Sequence, residues 1–189
     1  MLGADGPAIG FPRIETERLV LRGPTEADLP HMPRVFNDPE IYAYTRNIPY
    51  PYGEADAVAA LSRYWRLAAA GEALTLFPEC RATGEMIGLV VLIMKPGGAE
   101  AELGYALGRA WWGKGYATEA ASAAVGYAFA SLGVDEVNAH AMVRNPASSR
   151  VLEKVGMRAV GIAEGLCKKD GEVFDAAGFA ISRAAWEAR

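Results

Sequence analysis

Cysteine and histidine are almost missing from this chain: 189 residues hold two of each, Cys80, Cys167, His31 and His140. The cysteines stand far apart with no C-x-x-C spacing, so nothing suggests a disulfide framework or a thiol redox motif. No carboxylate cluster joins the histidines, and no metal is expected. Basic residues are not in excess either. Lysine and arginine number 19 against 23 aspartates and glutamates, for a formal charge of −4 and a pI near 5.3. That argues against nucleic acid as a partner and favours cationic amines through long-range attraction. No apolar run approaches the ~18 residues needed to span a membrane. The N-terminus lacks a basic segment followed by an apolar one, so no export signal is expected and the location reads as cytoplasmic. Internal repeats and low-complexity blocks are absent.

What remains is enough for one core. With 51% hydrophobic residues the chain sits in the one-domain range. Met1 to Pro12, carrying three glycines and two prolines, reads as a mobile leader, and residues 13–189 as a single domain. Leu19 to Arg22 is expected as a strand, and Thr25 as the N-cap of a helix that Pro30 and Pro33 make irregular. Ile41 to Gly53, rich in tyrosine and proline, reads as a loop. A helix follows from about Glu54 to Ala70, stopped by Gly71. Leu74 to Arg81 and Met86 to Met94 suggest a hairpin around Ala82-Thr83-Gly84. After the turn at Lys95 to Ala99 comes a strand over Ala101 to Leu107, then a helix with Ala117, Ala121, Ala124, Val125, Ala128 and Leu132 on one face, ended by Gly133. Val137 to Val143 alternates as a strand. Asn145 and Pro146 open a short helix that Gly156 closes, and a last strand pair spans about Arg158 to Ile162 and Phe174 to Ile181. A meander followed by a strand-helix-strand crossover gives an α/β domain with a mixed, mainly antiparallel sheet.

The segment from Trp111 to Ala120, WWGKGYATEA, is the most telling. A strand runs into a glycine-punctuated turn and then a helix. Gly113 and Gly115 let the backbone take left-handed conformations and approach a ligand closely, and the peptide N–H groups of Gly115, Tyr116, Ala117 and Thr118 stand free at the helix N-terminus. The macrodipole favours negative charge there, so a phosphorylated ligand fits; glycines that merely make a tight turn are the alternative. Two familiar phosphate motifs do not match. From Gly108 the spacing follows a P-loop, but Gly115 stands where Ser or Thr would hold magnesium, and Thr118 occupies the third glycine's place of a dinucleotide fingerprint.

The pattern does resemble the pyrophosphate loop of the GNAT acetyltransferases, Q/R-x-x-G-x-G/A, aligned as Trp112-Gly-Lys-Gly115-Tyr-Ala117, with Trp112 in place of the usual Gln or Arg. It is similar in particular to the RimJ/RimL-like branch, which often reads YWGKGYATEA. Ile14-Glu-Thr-Glu-Arg-Leu-Val-Leu-Arg22 looks like that branch's opening strand. Asn145-Pro-Ala-Ser-Ser-Arg-Val-Leu-Glu-Lys-Val-Gly-Met157 looks like its N-x-x-S, E-K-x-G-F segment. The likeness covers roughly residues 14 to 186. It implies a GNAT fold whose central strand pair, here Ala101 to Leu107 and Val137 to Val143, splays apart. It also implies acetyl-CoA as cofactor, CoA as product and no metal. The reaction would be acetyl transfer to a primary amine, of a protein N-terminus or a small molecule, by direct attack in a ternary complex. A homodimer is compatible with it.

Cofactor-binding candidates by this resemblance are Tyr105, Ala106 and Leu107 through their backbone, Trp112, Gly113, Lys114, Gly115, Tyr116, Ala117 and Thr118 in the loop, and Asn145 and Ser148. An alkyl ammonium has a pKa near 10.4, so a base or a water chain must remove a proton before attack. Glu102, on the splayed strand, is the candidate base, with a solvated carboxylate as the alternative. Ser148 is the candidate proton donor to the leaving thiolate, with a local hydrogen bond as the alternative. Asn145 also reads as a plain N-cap, and Lys114 as a solvated lysine. Tyr44, Tyr50 and Tyr52, in a loop that also holds Tyr42, are candidates for the acceptor cleft, whose other side Lys168 to Asp175 would close. Two further readings are a non-catalytic acyl-CoA sensor of the same fold, and an enzyme for a longer acyl chain, which the room near Tyr105 and Met142 would decide.

Overall fold

The structure, a computed structural model, describes residues 10–189; most of the expected leader lies outside them. The chain opens with two short strands, β1 (Ile14–Glu15) and β2 (Leu19–Arg22), paired antiparallel. The single opening strand expected over Ile14 to Arg22 is therefore broken. The break has a cause far away in sequence: Thr16 and Arg18 turn out of the ladder to donate to Glu119.

Thr25 caps a single helical turn at Glu26–Asp28, with its own N–H donating to Asp28 Oδ2 at 2.8 Å. Then come α1 (Met32–Phe36), α2 (Pro39–Tyr44) and α3 (Glu54–Ala69). The presence of α2 corrects the loop expected from Ile41. Asp38 accepts from the N–H groups of Glu40 and Ile41 while Pro39 fills the first helical position, which is sufficient to start a helix. β3 (Ala73–Cys80) and β4 (Gly88–Met94) form the expected hairpin, followed by β5 (Glu100–Leu107), α4 (Tyr116–Ser131), β6 (Glu136–Met142) and α5 (Pro146–Val155). β7 (Arg158–Lys169) and β8 (Glu172–Ser182) extend well beyond the expected pair, and a short α6 (Arg183–Glu187) was not expected at all.

All eight strands form one sheet in the order β1-β2-β3-β4-β5-β6-β8-β7. Every neighbouring pair is antiparallel except β5 and β6, which α4 joins as a crossover. The result is a mixed α/β architecture with a mainly antiparallel sheet. Strand alternation divides the core in two. Leu76, Val90, Leu92 and Leu103 face α4, whose Ala121, Ala124, Val125 and Ala128 present a flat surface to the sheet. Phe77 and Leu89 face the other way, against Phe36, Tyr52 and Tyr64.

Candidate active site

The β5–β6 ladder runs only from Glu100↔Glu136 to Leu103↔Ala139. Beyond it each strand stays paired on its outer side, β5 with β4 as far as Leu107 and β6 with β8 as far as Met142. The inner edges of Gly104 to Leu107 and of His140 to Met142 are thus parted, leaving backbone groups that a further strand-like partner would satisfy. The gap opens into a cleft of about 890 Å³ lined on this side by Gly104, Tyr105, Ala106 and Leu107.

At one end the cleft meets the N-terminus of α4. Gly113 and Gly115 both have left-handed backbones, φ +72° and +82°, which other residues adopt only at a cost. Among the described residues, the N–H groups of Tyr116, Ala117 and Thr118 have no backbone acceptor, the first intrahelical bond being Glu119 N to Gly115 O at 3.1 Å. Three free donors at a positive helix end suit an anion. The turn is braced from outside. Arg18 donates through Nη1 to Lys114 O at 2.9 Å and through Nε to Glu119 Oε2 at 2.6 Å, and its guanidinium lies over the Tyr116 ring. Burial pushes the Glu119 carboxyl up, but bonds from Thr16 and Arg18 outweigh it and hold the group below the usual range.

These features meet in one family. The acetyltransferase (GNAT) domain matches residues 18–158, well over half of the chain. The chain belongs to the GNAT acetyltransferase family. Among its relatives is the uncharacterized N-acetyltransferase YoaA of Bacillus subtilis, 29% identical over 168 residues, which span 87% of this chain and 93% of that protein. Two solved structures share the fold. The ribosomal L7/L12 alpha-N-protein acetyltransferase RimL, in complex with coenzyme A, has a TM-score of 0.82 at 20% identity, covering 92% of this chain and 99% of that one. The microcin C7 self-immunity acetyltransferase MccE, in complex with acetyl-CoA and AMP, has 0.81 at 18%, covering 88% and 93%.

In this acetyltransferase one cleft is lined by Glu102, Tyr105, Ala106, Leu107, Trp112, Gly113, Gly115, Ala117, Thr118, Asn145, Ser148 and Tyr44. Trp112 is fixed by its indole N–H, which donates to Leu107 O at 2.7 Å. Asn145 caps α5, with Oδ1 accepting from Ser148 N at 3.1 Å. Ser148 Oγ lies 2.8 Å from Tyr105 Oη, which also reaches Ser148 O at 3.1 Å, so the two hydroxyls act as one unit. Burial pushes the Tyr105 phenol up to about 12 against the opposing Ser148 bond, and it stays protonated at neutral pH.

Four of the expected residues stand off the cleft. Tyr52 is only 4% exposed and packs edge-on against Phe36 in the core. Tyr50 is solvent-exposed and packs beside Tyr42. Lys114 turns its Nζ back to Ala110 O at 2.8 Å, and the Tyr116 ring packs against Trp111; the backbone of both still belongs to the glycine turn.

Glu102 is 8% exposed and is not the free carboxylate that a base needs. Lys95 Nζ lies 2.5 Å from its Oε2 and Arg46 Nη2 lies 2.8 Å from its Oε1. Burial raises its pKa, but these two cations outweigh it and hold the group below the usual carboxylate range. A third neighbour, His140, puts Nδ1 at 3.6 Å from the same Oε1. Arg46, Lys95 and His140 were not linked to Glu102 by sequence, since they come from three separate segments. The one available signal was strand parity, because Glu102 pairs with Asn138 and leaves His140 on the same face.

Proposed function

We propose that this enzyme moves an acetyl group from acetyl-CoA to a primary amine, of a small molecule or a protein N-terminus, by direct attack within a ternary complex. The carrying observation is the parted β5–β6 ladder that leads to the free N–H groups of α4 within a single cleft. An amide-bearing arm completes the open edge of β5 as an added strand, and a pyrophosphate accepts from the helix N-terminus. Both demands are met by a CoA thioester, and the solved RimL and MccE structures hold CoA and acetyl-CoA.

In this reading Gly113 to Thr118 hold the phosphates. Backbone of Tyr105, Ala106 and Leu107 holds the arm, with Asn145 at its side. The Tyr105–Ser148 pair protonates the leaving sulfur from the α5 face of β5. Glu102 lies on the opposite face, where the amine arrives past Tyr44, and is itself tied to Lys95 and Arg46. Residues 13–189 act as one catalytic unit. The reaction belongs in the cytoplasm, whose reducing poise suits two buried free thiols.

The test is release of free thiol from acetyl-CoA across an amine panel that includes alanine- and serine-starting peptides, polyamines and amino acids. Amine-dependent release is expected. Tight acetyl-CoA binding with no release for any amine would overturn the reading in favour of an acyl-CoA sensor.

A further inference from the structure

Resting on the acetyl-transfer reading, we infer that His140, and not Glu102, takes the proton from the acceptor amine, with Glu102 as the group that sets the imidazole's tautomer. His140 is the first residue of β6 past its last pairing with β5, Leu103↔Ala139, so it stands at the fork where the strands part and lines the cleft there. Its alternation carries Asn138 and His140 to the face that holds Glu100 and Glu102, where Asn138 Nδ2 already donates to Glu100 at 3.1 Å. Across the sheet its register partner is Gly178.

The two ring nitrogens are in different surroundings. Among the described residues Nδ1 is buried with no hydrogen-bond partner, and its neighbour is Glu102 Oε1 at 3.6 Å. A lone pair on Nδ1 would face the lone pairs of a carboxylate that two cations keep ionised, whereas an N–H there would be attracted to it. The neutral ring therefore carries its hydrogen on Nδ1, which leaves the lone pair on Nε2, the nitrogen left to meet the cleft. The charged groups around the ring are Glu102 on β5, Arg46 after α2 and Lys95 in the β4–β5 turn. Lys95 and Arg46 already occupy Glu102, and the next proton acceptor on this wall is His140 Nε2.

The step balances as follows. Nε2 takes one proton from the ammonium, and the freed lone pair attacks the thioester carbon. The C–N bond forms, the C–S bond breaks with its electron pair going to sulfur, and the nitrogen gives up a second proton. One proton ends on the thiol through Ser148 and Tyr105, and the other passes from His140 to solvent.

Two measurements decide this. Long-range 15N NMR on the free protein reads the tautomer directly, with only His31 and His140 to assign and a His31→Asn variant to tell them apart. Hydrogen on Nδ1 of neutral His140 is expected, moving toward Nε2 in Glu102→Gln; hydrogen on Nε2 in the wild type would overturn the inference. In His140→Gln, kcat/KM should fall by about 10²-fold or more, and acetyl-CoA affinity by calorimetry should not change. Turnover near wild type would overturn it as well. A wild type that turns over no amine refutes the acetyl-transfer reading instead, and the tautomer still decides how His140 is set.

Discussion

Replacing Gly115 by alanine tests the cradle with a control from the other end of the same helix. Gly115 sits at φ +82°, and a left-handed backbone costs an L-residue about 1–2 kcal/mol. At roughly 2–4 °C per kcal/mol for a chain of this size, the fold should lose about 2–8 °C in Tm. Gly133, just past the C-terminal end of α4, has φ +71° and open space where a Cβ would go, so Gly133→Ala carries the same backbone cost and touches nothing. At Gly115 the added methyl meets Arg18 Nη2 at 3.3 Å. That guanidinium is held by Lys114 O and Glu119, so the strain passes into the turn that aims the three free N–H groups. A hydrogen bond to a charged group contributes about 1.5–3 kcal/mol. Losing one such bond to a phosphate should raise the Kd for CoA roughly 10- to 150-fold, at about 1.4 kcal/mol per decade. Calorimetric titration with CoA, beside thermal melts of both variants, supplies the comparison. If Gly115→Ala and Gly133→Ala lose the same stability and bind CoA equally well, the α4 N-terminus is not the phosphate site.

Asp28 is 2% exposed and holds Arg22 by bonds of 2.7 and 2.9 Å as well as the Thr25 cap. Burial raises its pKa, and the Arg22 and Thr25 bonds outweigh that and lower it. The stabilisation is therefore present above the unfolded value of about 3.9 and lost as pH falls through the lower folded value. Asp28→Asn should cost about 1.5–3 kcal/mol at pH 7 by chemical denaturation, with the difference from wild type shrinking below about pH 4; a pH-independent difference would refute the charged pair. Asn145→Ala should lose roughly 1 kcal/mol as a helix cap and also raise the apparent acetyl-CoA constant, and an effect on stability alone would confine Asn145 to capping. Ser148→Ala should lower kcat by about tenfold while cofactor binding holds, because its bond to sulfur matters only as charge develops there; unchanged kcat with weaker acetyl-CoA binding would make the serine a cofactor ligand only.

The legible parts of this chain are those whose causes lie within a few residues. The glycine turn, the Asn145–Pro146 helix start and the Gly156 stop each follow from torsional preference and a local cap, and each stands where the sequence puts it. The helix at Pro39 had a local signal too, in the Asp38–Pro39 pair, but the tyrosines and prolines that follow obscured it. Other features have distant causes. The break between β1 and β2 answers to Glu119, and the burial of Tyr52 answers to Phe36 and the underside of the sheet. The wall around Glu102 is the extreme case: Arg46 comes from the segment after α2, Lys95 from the β4–β5 turn, and His140 reaches it only through the register of the parallel β5–β6 pair. Because successive strand residues point to opposite faces, a slip of one residue in that register would turn His140 into the α4 core and bring Ala139 or Ala141 beside Glu102. The alanines already packed against α4, Ala139 and Ala141, leave no room there for an imidazole. The same small residues that seat the crossover helix thereby fix which face of β6 can carry chemistry.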